Sequence, residues 1–196
     1  QILLIFDEVI TAFGRVGAAT GAEAYGVVPD VLNVAKQLTN GSVPMGAVIV
    51  NQEIHDTFMD TEAPEYMIEF PHGYTYSGHP LACAAGLATL DLLEKENSFE
   101  QVASMAPVLE DAIHSLKGAK HVVDIRNYGS AAGVTLASAP GEPAKRPFEV
   151  AMKCWEKGFY VRYGGDTLQL GLPFSTKPTE IDLIVNAMGD AISEID

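Results

Sequence analysis

Apolar residues near the start of this chain come as short unbroken runs. Residues 2–6 read Ile-Leu-Leu-Ile-Phe, residues 31–35 read Val-Leu-Asn-Val-Ala, and residues 47–50 read Ala-Val-Ile-Val. Runs of this length, bounded by glycine, proline or polar turn residues, predict buried strands. The stretch between the first two is Gly/Ala-rich from Gly14 to Gly26, with a short helix expected over 22–25 and a turn at Val27-Val28-Pro29-Asp30. Residues 51–68 are polar and mixed, with a short helix predicted over 53–59. A loop dense in glycine and hydroxyls, 70–80, leads to Pro80, which suits a helix's first turn because its missing N–H costs nothing there.

From Pro80 the period lengthens. A helix is predicted to about Glu96, with Leu87, Leu90 and Leu93 among its apolar positions. A second runs over 99–116, with Val102, Met105, Leu109, Ile113 and Leu116 near the helical repeat and Gly118 as a C-terminal cap. Strand-like runs then return at 122–126, 133–136, 159–162 and 167–170, interleaved with helices near 147–157 and 179–195. This is the pattern of an α+β segment with its own small sheet. The expected division is residues 1–115, an α/β portion with a linking helix, and residues 116–196, a smaller α+β domain. The first strand follows Gln1 with no preceding cap or turn, and interior parallel strands need neighbours on both sides. The chain is therefore expected to be the later part of a larger protein.

Composition narrows the function. The 196 residues are 47% hydrophobic and 19% charged, with a net charge of −14. That balance argues against a nucleic-acid partner, since phosphate binding needs clustered Lys and Arg. No apolar stretch is long enough for a membrane span. Cys83 and Cys154 make neither a disulfide framework nor a metal site, and both sit in helical patterns where a thiol behaves as a small hydrophobe. A reducing, cytoplasmic location is the expectation.

The chemistry-bearing residues sit at run ends. Asp7 and Glu8 close the first run, and Lys36 closes the second. A carboxylate and an amine at strand mouths are what pyridoxal phosphate chemistry requires. The amine forms a Schiff base with the aldehyde, and the carboxylate keeps the pyridine nitrogen protonated. A partly desolvated lysine also tends to a lowered pKa, which makes it nucleophilic. The alternatives are a solvated surface lysine and an aspartate that caps a turn. Thr75, Ser77 and His79 precede a helix start, where hydroxyls and backbone N–H groups hold phosphate or merely cap the helix. Arg162 precedes Gly164-Gly165-Asp166, and its fork could take a substrate carboxylate or pair with Asp166.

These segments together carry a resemblance. Phe6-Asp7-Glu8-Val9-Ile10-Thr11-Ala12-Phe13-Gly14-Arg15-Val16-Gly17 resembles the aspartate motif of the class III pyridoxal-phosphate-dependent aminotransferases. Val31-Leu32-Asn33-Val34-Ala35-Lys36, with Gly41-Ser42-Val43-Pro44-Met45-Gly46-Ala47, is similar to their Schiff-base lysine segment. His72-Gly73-Tyr74-Thr75-Tyr76-Ser77-Gly78-His79-Pro80 resembles the loop that reaches a neighbouring subunit's phosphate site, and Val161-Arg162-Tyr163-Gly164-Gly165-Asp166-Thr167 the stretch bearing the carboxylate arginine. Ala35-Lys36-Gln37-Leu38-Thr39-Asn40-Gly41 and Asp124-Ile125-Arg126-Asn127-Tyr128-Gly129 are nearest in wording to the omega-amino acid:pyruvate (β-alanine:pyruvate) branch. One departure is Ala12, where the family more often has glycine.

The resemblance implies a fold-type I α/β transferase, represented by the end of its large-domain sheet and its C-terminal α+β small domain. It implies that Asp7 pairs with the pyridine nitrogen, Val9 packs on the ring, Lys36 forms the Schiff base and shuttles the proton, Thr75 binds the phosphate of the partner subunit's cofactor, and Arg162 receives the substrate carboxylate. The implied reaction is ping-pong transfer from an omega-amino acid or amine to pyruvate, giving alanine, in a homodimer or homotetramer with shared active sites. Another donor (4-aminobutyrate, ornithine or an aromatic amine), an aminomutase or decarboxylase on the same scaffold, and an inactive remnant are the competing readings. The family's phosphate cup and ring-stacking aromatic belong to its first half, which the resemblance does not cover.

Overall fold

The structure, a computed structural model, describes residues 2–60 and 62–196. The expectation attached to Gln1 concerns a residue outside that set. The chain forms two compact units: residues up to Gly14 with Ala18–Ser98, and Arg15–Gly17 with Phe99–Asp196.

The first unit is built on a three-stranded sheet in the order β1-β2-β3, from strands β1 (Ile5–Glu8), β2 (Val31–Val34) and β3 (Ala47–Val50). β1 and β2 run parallel, and the crossover between them contains helix α1 (Gly21–Tyr25). β3 returns antiparallel to β2. The first strand lies further along the chain than its apolar run predicts. Leu4 spends its polar groups on Asp30, its N–H donating to the carboxylate and its carbonyl accepting from the Asp30 and Val31 N–H groups, so the ladder opens at Ile5↔Val31. Asp7 and Glu8 are therefore strand residues, facing opposite sides.

Helices α2 (Gln52–Met59) and α3 (Pro80–Lys95) complete this unit. α3 starts where Pro80 predicts, capped by the His79 ring, whose Nδ1 accepts from the Leu81 N–H at 3.3 Å. Its buried positions are Ala82, Gly86, Thr89 and Leu93, so of Leu87, Leu90 and Leu93 only the last is buried. Leu87 is 65% exposed and Leu90 43%, because the helix turns its small residues to the chain. A Cβ on Gly86 would meet the Leu38 carbonyl at 3.6 Å and the Met45 sulfur at 3.7 Å, so α3 lies close against the turn that follows β2.

The second unit is a four-stranded antiparallel sheet, order β4-β5-β7-β6, with β4 (Val122–Tyr128), β5 (Ala131–Leu136), β6 (Arg162–Gly164) and β7 (Thr167–Gly171). Ala132, Val134 and Leu136 of β5 alternate with polar or small residues, as do Leu168 and Leu170 of β7, and these five join one core with helices α4 (Ser98–His114), α5 (Lys145–Glu156) and α6 (Pro178–Ser193). The compact units divide after Ser98, at the start of α4. Val102, Met105, Leu109 and Ile113 give the physical reason, because they put the apolar face of α4 into the second core. The expected strand at 159–162 begins only at Arg162, since the Phe159 N–H is taken by the Cys154 carbonyl at the end of α5. Cys154 is buried there, and desolvation pushes its thiol up to about 11; Cys83 is half-buried and free.

Candidate active site

In the first unit, the parallel register sets Asp7 beside Asn33 and Glu8 beside Val34. Lys36 follows Val34 by two residues and opens a 3₁₀ turn, Lys36–Thr39. Asp7 and Lys36 thus leave the same end of two adjacent strands, whose axes lie ~4.8 Å apart. The C-terminal end of parallel strands is where open α/β sheets bind ligands.

Both side chains are exposed. One Asp7 oxygen accepts from the Val9 N–H at 3.2 Å, a short turn that leaves the other oxygen open. Among the described residues the Lys36 ammonium has no hydrogen-bond or ion-pair partner. Lys36 is also held at φ 47°, in the left-handed region, and the turn is closed by Asn40 at φ 49° and Gly41 at φ 71°. Beneath it Thr39 is buried, its hydroxyl donating to the Val43 carbonyl at 2.5 Å. Non-glycine residues at positive φ store backbone strain and cluster at working sites. An amine and a carboxylate at the ends of adjacent strands, neither neutralised among the described residues, fit a group that carries an aldehyde at one place and a basic nitrogen at another.

Glu8, to which the sequence reading gave no role, holds this corner together. It is 2% exposed, and its carboxylate accepts from the Gly21 N–H at 2.7 Å, the Ala22 N–H at 2.9 Å and the Thr11 hydroxyl at 2.7 Å. It thereby satisfies free N–H groups at the start of α1. The strand's alternation would have put it opposite Asp7, but its backbone partners lie 13 and 14 positions away. Replacing Glu8 with alanine strands the buried Gly21 N–H and two half-buried donors, and we expect a loss of about 2–4 kcal/mol. Urea unfolding that leaves the midpoint unmoved would show the carboxylate to be dispensable.

The loop before α3 is fastened by its own rings. Phe58 and Phe70 meet at 5.0 Å, and His72 and Tyr74 at 4.8 Å. Tyr74 and Tyr76 both take left-handed backbone, φ 51° and 67°, and Thr75 between them is exposed. Its hydroxyl has no partner among the described residues.

In the second unit, Arg162 stands at the start of β6 with an exposed side chain. The alternative of a pair with Asp166 is not what forms. Asp166 accepts from the Ser138 hydroxyl and, at 2.8 Å, from the Ala144 N–H, and these bonds hold it below the usual carboxylate range. The Arg162 guanidinium has no partner among the described residues. Arg126 is committed, to Asp124 at 2.5 Å, Thr135 at 2.9 Å and Thr167 at 3.5 Å. A surface cavity of about 280 Å³ lies elsewhere in this unit, lined by His114, Lys117 and Asp124 among others, and contains none of the predicted site residues. Among the described residues no acidic, histidine or cysteine cluster could hold a metal ion, and no helix is long and apolar enough to cross a membrane.

The strand-end acid and amine on a parallel sheet, in a chain that continues into an antiparallel sheet, stand in a fold that matches solved fold-type I transaminases. The chain belongs to the class-III aminotransferases, which are pyridoxal-phosphate-dependent, and the family model matches residues 1–192. It is 58% identical over 195 residues to a beta-alanine–pyruvate aminotransferase of Pseudomonas aeruginosa, matching 100% of this chain and 44% of that protein. It is 55% identical to an omega-amino acid–pyruvate aminotransferase of Pseudomonas putida, again over 100% of the chain and 43% of the relative. The chain thus spans less than half the length of these relatives. Among solved structures, a thermostable (S)-enantioselective omega-transaminase from Thermomicrobium roseum matches with a TM-score of 0.86 at 34% identity, over 98% of this chain and 43% of that one.

Proposed function

We propose that this chain supplies the lysine, the pyridine-nitrogen acid and the carboxylate arginine of a transaminase that moves an amino group from an omega-amino acid of the β-alanine type to pyruvate. The observation that carries this is the placement of Asp7 and Lys36 on adjacent strand ends, with neither charge neutralised. When bound, pyridoxal phosphate supplies the electron sink for the substrate carbon. The Asp7 carboxylate holds a proton at the pyridine nitrogen. The Lys36 amine would hold the group at its aldehyde and would carry the proton at the substrate carbon. Val9, half-buried beside Asp7, would pack against the ring. Arg162 takes the carboxylate of β-alanine or pyruvate in its fork.

Thr75 belongs to the same proposal as a phosphate ligand offered to a second copy, in a homodimer or larger assembly. Its outward placement on a loop tied by its own rings supports that role. A reducing compartment suits two free cysteines.

The test is amino transfer from β-alanine to pyruvate by the cofactor-loaded enzyme carrying this chain. One alanine per β-alanine consumed is expected; consumption without alanine would point to an aminomutase or decarboxylase instead. Arg162→Ala is expected to reduce kcat/KM for pyruvate by about a hundredfold, from loss of a bidentate charged pair.

A further inference from the structure

The register of the second sheet brings an unassigned side chain to the open arginine. Arg162 of β6 stands directly opposite Gln169 of β7. Residues so opposed in an antiparallel pair share a face, with Cβ atoms ~5 Å apart. That face is the one turned from the core, because Leu168 and Leu170 on either side of Gln169 are buried.

Gln169 is half-buried, yet its side chain makes no hydrogen bond among the described residues. Its amide is laid across β6. A Cβ on Gly164 would come 2.9 Å from its Nε2 and 3.7 Å from its Cδ, so it lies in the space the glycine leaves. A guanidinium and an amide, neighbours on one face and both without partners, have spare donors for one anion. A carboxylate offers about four acceptor positions and an arginine fork fills two. On the other side of Gln169 stands Gly133, followed in the same row by Arg126, whose guanidinium lies over that glycine and is already bonded to Asp124 and two threonines. Gln169 is therefore the free donor beside Arg162.

We propose that Gln169 is a second carboxylate-recognising residue. Its amide N–H donates to the carboxylate held by Arg162, so that it selects carboxylate-bearing substrates over plain amines. This rests on the reading of Arg162 above.

The test measures three half-reactions of the cofactor-loaded enzyme separately: β-alanine, pyruvate, and 1-phenylethylamine as a carboxylate-free donor. Gln169→Leu should lower kcat/KM for the first two by about tenfold to a hundredfold, chiefly through KM, and leave the third unchanged. Gln169→Glu, which sets a like charge beside the substrate, should lower them further. Arg162→Ala serves as the reference. If Arg162→Ala discriminates between the substrates and both Gln169 variants do not, the Gln169 proposal fails and the Arg162 reading stands. Equal losses on all three substrates would make Gln169 structural and also overturn it. Failure of Arg162→Ala itself to discriminate would remove both.

Discussion

Replacing Lys36 with alanine is expected to abolish amino transfer while leaving the fold intact. The reaction needs an amine that can bond to an aldehyde and then move a proton at carbon. The acid–base part alone is worth about 10²–10⁴-fold, so residual conversion should fall below a thousandth of normal. Structure gives no reason for a stability loss. The Lys36 side chain is exposed and without a partner among the described residues, and alanine tolerates φ 47° no worse than lysine does. Lys36→Arg separates charge from nucleophilicity, because a guanidinium stays protonated and cannot bond to the aldehyde. Both variants should show no borohydride-dependent mass gain on the peptide containing residue 36. Near-normal alanine production by Lys36→Ala would refute the assignment. Equal loss of activity and of thermal stability would make the lysine a structural residue.

What the sequence disclosed about this corner and what it withheld have one cause. Local features were readable because local physics sets them. Val31–Val34 and Ala47–Val50 are strands where their apolar runs predict, although Val48 and Ile49 of the second are exposed rather than buried, and α3 starts at Pro80 because a proline there loses no hydrogen bond. Asp7 and Lys36 were legible as run ends. Features that depend on a distant partner were not. The first strand slid toward Glu8 because Asp30, far along the chain, captured Leu4. Leu87 and Leu90 fit a helical stripe, yet α3 offers Gly86 to the neighbouring turn. Arg162 could have paired with Asp166 four residues on, until Ser138 and Ala144 took that carboxylate. Gln169 was invisible for the same reason, since only the cross-strand register puts it next to Arg162.

The same dependence on remote partners makes Gly129 the position where one methyl group should do most damage to stability. Gly129 and Ser130 form the two-residue turn between β4 and β5, and Gly129 takes φ 56°. Positive φ at the first turn residue alone is the II′ pattern, which favours glycine there. The turn is also pressed against the segment Arg15–Gly17. A Cβ on Gly129 would fall 2.2 Å from the Arg15 carbonyl oxygen and 2.8 Å from the Val16 Cα, both backbone atoms that cannot swing aside. That segment is held by several bonds. The Ser130 N–H donates to the Arg15 carbonyl at 3.0 Å, and the Arg15 guanidinium donates to the Ser130 hydroxyl at 2.8 Å and the Leu172 carbonyl at 2.5 Å. Its carbon lies 5.0 Å from the centre of the Phe174 ring, and burial lowers its pKa, with no carboxylate paired to it among the described residues. Neutral acceptors and a ring face are what keep this cation satisfied, so pushing the segment outward forfeits them together. Gly129→Ala is expected to cost at least about 3 kcal/mol, beyond the ~1 kcal/mol that positive φ alone costs an alanine. For a chain of this size that lowers Tm by about 6–12 °C. Gly118→Ala is the control, since Gly118 has φ 84° and nothing within 4 Å of its would-be Cβ. If the two variants melt together, the contact with Arg15 carries no weight and conformational preference explains both glycines.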